Sequence, residues 1–586
     1  MKFKTLAKFL NKIENTPSRL EMTAVLADLF KQSQKDEIDK VCYLSLGRLA
    51  PKYEGIEFNL AEKMMVRIIA RSTKFEEKEV LAAFKEIGDL GDVIKRFKKT
   101  KDDFNLSVSD VFEMLFKIAQ DSGTGSQERK IKKMAELLEK LDSLSAKYIA
   151  RIPVNRLRLG FSDMTVLDAL SWMENQDKSL RPELERAFNV LADVGKIAFV
   201  FKTKGIKGIK KIKSEVGIPI RAALAERLKK PEEILEKMDG QCALEPKMDG
   251  FRCQIHFDRS KKFKLKDETN LSLFENKEKY FVRIFSRNLD NTTHMFPEII
   301  KAVQKLKVDN AILDGEAIAF DPQTKKFLSF QETVQRKRKH GILEKAIEVP
   351  LKVFVFDILY LNNKPLLNMT FKQRRTLLEK ILNKSKGEEK AIILTRQIIV
   401  KKPNEFNQFF EKVVSEELEG LMAKKLDAVY QAGNRNFNWV KYKVGMQSDL
   451  ADTIDCVVMG YYKGKGKRTN FGIGAFLVGI VDKNKFLTVS KIGIGLTDKQ
   501  WREIHKRCQK LKTYKKPKEY QVNKNINPDV WCKPGLIVEI EADTITRSPI
   551  HTAKLALRFP RLKRFRDDKS LNETTKKNEL ERLLKS

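Results

Sequence analysis

The run Glu245-Pro246-Lys247-Met248-Asp249-Gly250-Phe251-Arg252 sets an amine among acids, where an extended segment gives way to a glycine turn. A lysine amine becomes a covalent nucleophile once it is neutral. An ordinary lysine titrates near about 10.4, so roughly one molecule in a thousand is neutral at pH 7, a deficit of roughly 4 kcal/mol at about 1.36 per unit. Desolvation and nearby cations reduce that deficit, and Trp439-Val440-Lys441-Tyr442-Lys443 supplies two candidate cations downstream. Read alone, K-x-D-G also describes a charged surface hairpin, and chance produces it often.

The company it keeps changes the reading. Ser286-Arg287-Asn288, Leu313-Asp314-Gly315-Glu316, Val355-Phe356-Asp357, Glu419-Gly420-Leu421-Met422-Ala423-Lys424 and the Trp439 run follow in order. This succession resembles the covalent nucleotidyltransferase superfamily of DNA ligases, RNA ligases and mRNA-capping guanylyltransferases. The resemblance implies that Lys247 carries AMP as a phosphoramidate and that Glu245 helps read the adenine. It places Arg252 and Glu316 at the ribose, Arg287 at the phosphates or the neighbouring strand end, and Phe356 on the base. Lys441 and Lys443 would contact the α-phosphate, with Arg435 a further nucleotide-binding position. ATP and Mg²⁺ are the implied cofactors, Glu316 and Glu419 holding the metal through the oxygen ligation Mg²⁺ prefers. Metal, Arg252 and lysines together would stabilise charge on the reacting phosphate and departing pyrophosphate.

These residues need a frame. Residues 1–213 read as helical: Ser18-Arg19-Leu20-Glu21 forms a capping box ahead of Val25, Leu26, Leu29 and Phe30 at helical spacing, and the segment 130–150 repeats the pattern. Residues 214–447 mix strands and helices. Phe251, Cys253, Ile255 and Phe257 alternate with polar residues, which predicts a half-buried strand, whereas the apolar run Leu351–Phe356 predicts a central one. Helical spacing returns over 370–383. Residues 448–568 carry short strands (453–462, 471–481, 486–494, 535–541) and glycine turns that fit a small β-barrel. A charged tail with a short terminal helix follows over 569–586.

The flanks select the branch. Asp452-Thr453-Ile454-Asp455 and Arg558-Phe559-Pro560-Arg561 are similar to the OB-fold domain of DNA ligases. Ser122-Gly123-Thr124-Gly125-Ser126-Gln127 before the basic helix Arg129–Lys133, Arg156-Leu157-Arg158-Leu159-Gly160 and Gly217-Ile218-Pro219-Ile220-Arg221 resemble the helical domain of archaeal and eukaryotic replicative ATP-dependent ligases. The implied fold class is multi-domain: an all-α DNA-binding domain, an α+β nucleotidyltransferase (adenylation) domain and a β-barrel OB-fold domain. Arg156 and Arg158 are then expected at DNA, and Arg558 and Arg561 at DNA or pyrophosphate. The implied activity is the sealing of nicks in double-stranded DNA by a monomer, in replication, repair or recombination, with the barrel rotating between steps. Lys101-Asp102-Asp103-Phe104 lies where a sliding-clamp peptide would, but lacks the glutamine and paired aromatics. The spacing from Lys247 to Arg287 is about twice the family's, the surplus falling near 259–280 where a hairpin turn belongs.

Composition narrows the alternatives. The net charge of +36 suits a polyanionic partner such as nucleic acid, although a generally basic proteome would share it. There is no apolar run of membrane-spanning length and no secretory signal, so a prokaryotic cytoplasm, with association to the nucleoid through DNA, is the expected location. The six cysteines are scattered without C-x-x-C spacing, which argues for buried free thiols and against the zinc module of NAD-dependent DNA ligases. Rival readings are an RNA ligase or capping enzyme, for which the long helical front has little use, and a non-catalytic basic DNA-binding protein, which would have lost motif residues.

Overall fold

Apolar residues three and four apart bury one stripe of each helix, and the first part of the chain is built this way. In the computed structural model, Leu6, Leu10 and Ile13 are buried along Phe3–Glu14. Ser18 accepts from the Glu21 N–H at 3.4 Å and starts Arg19–Gln32, whose Val25, Leu26, Leu29 and Phe30 are buried as the spacing predicts. Helices continue to Val194–Lys210 and share one hydrophobic core. The structure describes the chain except residues 99–104, 158, 263–279, 322, 324–326, 329–331, 334, 337–341, 384–390, 417, 444–452, 465, 543, 559 and 586. Arg158, Phe559, Asp452 and the Lys101–Phe104 segment therefore lie outside the described residues.

Two compact units are formed, residues 1–444 and 445–586. In the first, the strands are β1 (Leu224–Arg227), β2 (Cys242–Lys247), β3 (Phe251–Lys262), β4 (Tyr280–Phe285), β5 (Asn310–Ala319), β6 (Leu351–Leu361), β7 (Lys364–Pro365), β8 (Ile392–Leu394), β9 (Ile398–Val400), β10 (Gly420–Lys424) and β11 (Arg435–Lys443). One sheet has the order β1-β11-β10-β2-β9; the other runs β4-β3-β5-β6-β7, with β8 also beside β6. β6 is the central strand its apolar run predicts. β3 and β4 pair antiparallel, with Lys262 opposite Tyr280, and the surplus expected near 259–280 falls mostly on 263–279, outside the described residues.

The half-buried strand expected at β3 is covered on both faces. Cys253, Ile255 and Phe257 enter the sheet's core, yet Gln254, His256 and Asp258 are buried too. The reason is the segment Gly217–Ile220, which lies on the polar face. Gln254 accepts from the Ile220 N–H at 2.7 Å and donates to its carbonyl at 3.0 Å, while His256 Nδ1 accepts from the Gly217 N–H at 3.0 Å. Polar alternation here marks a strand that hydrogen-bonds a neighbouring segment, not one that meets water.

The second unit has its own core. Ile454–Tyr462 pairs antiparallel with Ala475–Asp482 and Ile537–Glu541, and Ala475–Asp482 with Lys485–Ile492. Helix Asp498–Lys510 adds Trp501 to this core, and the terminal helix Lys577–Lys585 adds Leu580. Asp455 accepts from Arg566 at 3.1 Å and Lys569 at 2.6 Å, so the terminal segment packs as part of the unit. All six cysteines are buried and free. Among the described residues no helix is long and apolar enough to cross a membrane.

His256 makes the first unit acid-sensitive. Burial, with the nearby Arg283 charge adding to it, pushes the imidazole down to about 3. An unfolded histidine titrates near about 6.5, so below that pH the unfolded chain binds the proton more readily. The stabilisation is complete above about 6.5 and is lost as pH falls toward 3, at up to about 1.4 kcal/mol per pH unit. Denaturant melts across this window should show a shallower pH slope for His256→Asn than for the parent; equal slopes would refute the assignment.

Candidate active site

Register decides which side chains meet. Gly420 of β10 lies opposite Lys247 of β2 on one side and Lys443 of β11 on the other. Two residues on, Met422 lies opposite Glu245 and Lys441, and Lys424 opposite Ala243 and Trp439. Because alternate residues share a face, Lys247, Glu245, Lys441, Lys443, Lys424 and Trp439 form one surface. The intervening Cys242, Leu244, Leu421, Ala423, Val440 and Tyr442 form the other, and all are buried against helices Pro231–Lys237 and Pro403–Ser415. Three strands thus carry chemistry on one side because the opposite side is core.

Two glycines permit the arrangement. Gly420 has φ +142°, and a Cβ there would lie 2.2 Å from the Tyr442 carbonyl oxygen. This break in the alternation returns the Glu419 carboxylate to the site face, where its two oxygens pair with the amines of Lys247 and Lys443. Gly250 lets β5 approach: a Cβ there would lie 2.2 Å from the Ala317 carbonyl oxygen, and the Gly250 N–H bonds Glu316.

The second sheet supplies the opposite wall. Arg252 of β3 lies across from Glu316 of β5. Its guanidinium donates to both oxygens of buried Asp314, at 3.0 and 2.5 Å, and lies 5.4 Å from the Phe356 ring centroid and 5.7 Å from that of Trp439. Tyr430 donates to Asp314 at 3.1 Å. Between the walls is a cavity of about 490 Å³, large enough for a nucleotide-sized ligand. Glu245, Lys247, Arg252, Arg287, Glu316, Phe356, Arg435 and Lys441 all line it, while Glu419 and Lys443 reach it through the Lys247 amine.

Burial sets the electrostatics. Lys247 is lowered from the usual lysine range, chiefly by desolvation; Glu316 and Asp249 oppose this and Arg287 assists. Lys441 and Lys443 stand among the same charges: each falls to about 8, first by burial and then by cations that include Lys247. Burial raises Glu316 to about 7 against the pull of Arg252 and Lys247.

The adenine-reading position expected of Glu245 is already a buried ion network. Lys424 meets one carboxylate oxygen at 2.6 Å; Arg375 and Gln397 meet the other at 3.4 and 3.1 Å. Lys424 also lies 4.6 Å from the ring centroids of Phe356 and Trp439. Asp314, Lys424, Trp439, Arg375, Gln397 and Tyr430 were not singled out by sequence reasoning. Asp314, Lys424 and Trp439 lie inside the ordered motifs, but Arg375, Gln397 and Tyr430 carry no local signal.

The arginines expected at DNA are described by their local partners. Arg156 pairs with Glu62 at 3.1 Å in the helical region. In the second unit, Arg558 and Arg561 are exposed, and Arg558 donates to Thr546 at 3.2 Å. In the helix after the Ser122–Gln127 turn, Arg129 and Lys133 pair with Asp121 at 2.7 and 2.8 Å, and buried Lys130 donates to the Phe58 carbonyl at 2.9 Å.

A half-buried lysine at a strand end, paired with an acid beside a nucleotide-sized cavity, is the arrangement expected of a covalent nucleotidyltransferase. The family models agree on the branch: DNA ligase N terminus matches residues 2–171, ATP dependent DNA ligase domain 273–443, and ATP dependent DNA ligase C terminal region 469–569. The chain belongs to the ATP-dependent DNA ligase family. It is 46% identical to a probable DNA ligase of Dictyoglomus turgidum over 99% of this chain and 97% of that protein. It is 38% identical to a DNA ligase of Sulfolobus acidocaldarius, again over 99% and 97%. The solved structure Pmar-Lig_PreS3 shares the fold, with a TM-score of 0.55 at 20% identity over 96% of this chain and 99% of that one.

Gly420 offers a test of the site geometry. Gly420→Ala should displace Glu419 and lower formation of the protein–nucleotide adduct on the order of a hundredfold, the usual cost of an ångström-scale misplacement. Adduct yield at the parent level, measured with labelled ATP, would show that Glu419 does not depend on this turn.

Proposed function

We propose that the Lys247 amine attacks the α-phosphate of ATP, forming an N–P bond as the bond to pyrophosphate breaks. AMP then passes to the 5′-phosphate at a nick in duplex DNA, and the 3′-hydroxyl displaces it to close the strand. The observation that carries this reading is the Lys247–Glu419–Lys443 arrangement at the edge of a nucleotide-sized cavity. Glu419 orients the amine, and burial lowers the cost of making it neutral. Arg252, fixed by Asp314, and Glu316 meet the ribose; Phe356 packs on the base, and Glu245 reads the purine edge through its network. Lys441, Lys443, Arg287 and Arg435 hold phosphate charge.

Glu316 and Glu419 both act on the Lys247 amine, one through its charge and one by hydrogen bond. No group of three His, Cys, Asp or Glu able to hold a metal occurs among the described residues. That donor set fits Mg²⁺, which keeps several waters and uses one or two carboxylates with nucleotide phosphates. When bound, Mg²⁺ would neutralise charge on the departing pyrophosphate.

We assign residues 1–213 to a DNA-binding domain, 214–447 to adenylation, 448–568 to an OB-fold and 569–586 to a terminal segment. The strand-rich second unit and its match to the ligase C-terminal region support the OB assignment. Arg156, Arg158, Arg558 and Arg561 would contact DNA or pyrophosphate, and the net charge of +36 would hold strand phosphates. The protein would work as a monomer on nicked DNA, and a prokaryotic cytoplasm accords with the bacterial Dictyoglomus relatives.

With ATP labelled at the α-phosphate and Mg²⁺, the parent should acquire acid-stable label and Lys247→Ala none; equal labelling would refute the assignment. Offered nicked DNA and nicked RNA side by side, the enzyme should seal DNA preferentially, and a preference for RNA would overturn the substrate.

A further inference from the structure

The strand that delivers Arg287 to the nucleotide cleft is gripped from the helical region. Arg283 and Phe285 lie two apart on β4 and so share a face. Two adjacent residues of the short helical turn Lys52–Glu54 meet them there. Glu54 accepts from Arg283 at 2.9 Å, and the Tyr53 ring stands edge-on to Phe285 with centroids 6.0 Å apart. We propose that Tyr53, with Glu54 beside it, is a positioning residue for Arg287: acting through Phe285 and β4, it sets the place of that guanidinium in the cleft.

Tyr53 is itself fixed. Its hydroxyl donates to Asp193 at 3.1 Å, and Tyr43 donates to the other oxygen of the same carboxylate. Asp193 also accepts from the Lys196 N–H at 3.0 Å, capping the start of helix Val194–Lys210. The Tyr53 side chain therefore spans from a helix start, at its hydroxyl, to the second sheet, at its ring. Tyr53 and Phe285 are both buried, and the Phe285 ring also meets His256 of β3 edge-on at 4.9 Å.

Beyond Phe285 the chain has little freedom. The Ser286 N–H donates to the Asp290 carbonyl and the Leu289 N–H to the Ser286 carbonyl, each at 2.9 Å. The Ser286 hydroxyl accepts from the Asn288 and Asp290 N–H groups, each at 3.2 Å. A turn closed in this way moves as one piece with the residue that begins it, so a shift of Phe285 is carried to Arg287. Close-packed interiors partly collapse into the space left by a lost ring. Displacement of a binding group by about an ångström is enough to weaken what it holds. Tyr53 carries no motif and lies far from Arg287 along the chain; only packing joins them.

The test uses the full-length protein and reads the ATP concentration that half-saturates formation of the Lys247 adduct. Tyr53→Leu removes ring and hydroxyl, whereas Tyr53→Phe removes the hydroxyl alone. Tyr53→Leu should raise the half-saturating concentration about tenfold, the effect of one displaced charged contact. Tyr53→Phe should keep the parent value while its melting temperature falls, because its ring still meets Phe285. Arg287→Met should show a rise at least as large as that of Tyr53→Leu. The double variant should go no higher than Arg287→Met, as expected of two residues acting on one contact. Well below the melting temperature, a purely structural role would lower stability and leave half-saturation unmoved.

Parent-like half-saturation in Tyr53→Leu overturns the role. So does multiplication of the two single effects in the double variant, which would put Tyr53 on a different contact. Equal rises in Tyr53→Phe and Tyr53→Leu also overturn it, since the hydroxyl rather than the ring would then be responsible. If Tyr53→Leu does not fold, Glu54→Gln decides. Weakening its ion pair with Arg283 should raise the same concentration about threefold, and a parent-like value overturns the role. The role rests on the larger cleft being the ATP site, but the two fail separately. Label on Lys247→Ala sinks that reading, whereas parent-like Tyr53→Leu with label confined to Lys247 sinks the positioning role alone.

Discussion

Glu419 lies between two amines that would otherwise repel, Lys247 on β2 and Lys443 on β11. That position exists because β10 runs between those strands and because its first residue, Gly420, takes a backbone conformation that other residues rarely adopt. The remaining site features depend on the same sheet. The register that puts Gly420 opposite both lysines also puts Met422 opposite Glu245 and Lys441. The apolar reverse face, packed on two helices, prevents the strands from slipping by one residue, since a slip would bury the charges and expose the core.

Behind the reactive end, charge is balanced in layers. Glu245 and Lys424 are both buried and each opposes the other's desolvation cost. Arg374 holds Asp357 with bonds of 2.8 and 2.9 Å, and Arg252 holds Asp314. A buried pair of this kind adds little net stability, but removing one partner leaves a charge in low dielectric at about 3–5 kcal/mol. The cavity wall is therefore stiff where a nucleotide would be gripped. Lys247, Lys441 and Lys443, by contrast, are left short of compensation, which shifts them toward the neutral form.

The helical region is joined to this chemistry through backbone contacts as well as ion pairs. Gly217 and Ile220 are fastened to His256 and Gln254, and Arg283 pairs with Glu54 at 2.9 Å. The face of β3 that the sequence assigns to water is thus an attachment surface. Polar alternation signals that a face lacks apolar contact, but it does not separate solvent from a hydrogen-bonding segment.

Sequence by itself determined the ordered motifs, the nucleophile candidate, the helical front and the strand-rich end. Each of these is written in local spacing: the N-cap at Ser18, the apolar run of β6, K-x-D-G at Lys247. Tertiary structure decided which charges act on which. Glu419 pairs with the amines of both Lys247 and Lys443, and Arg375, Gln397 and Tyr430 join the site from segments with no motif. The physical reason is range. Spacing along the chain encodes periodicity and turns, whereas a pKa depends on burial and on charges a few ångströms away in space, which only strand register and packing bring together.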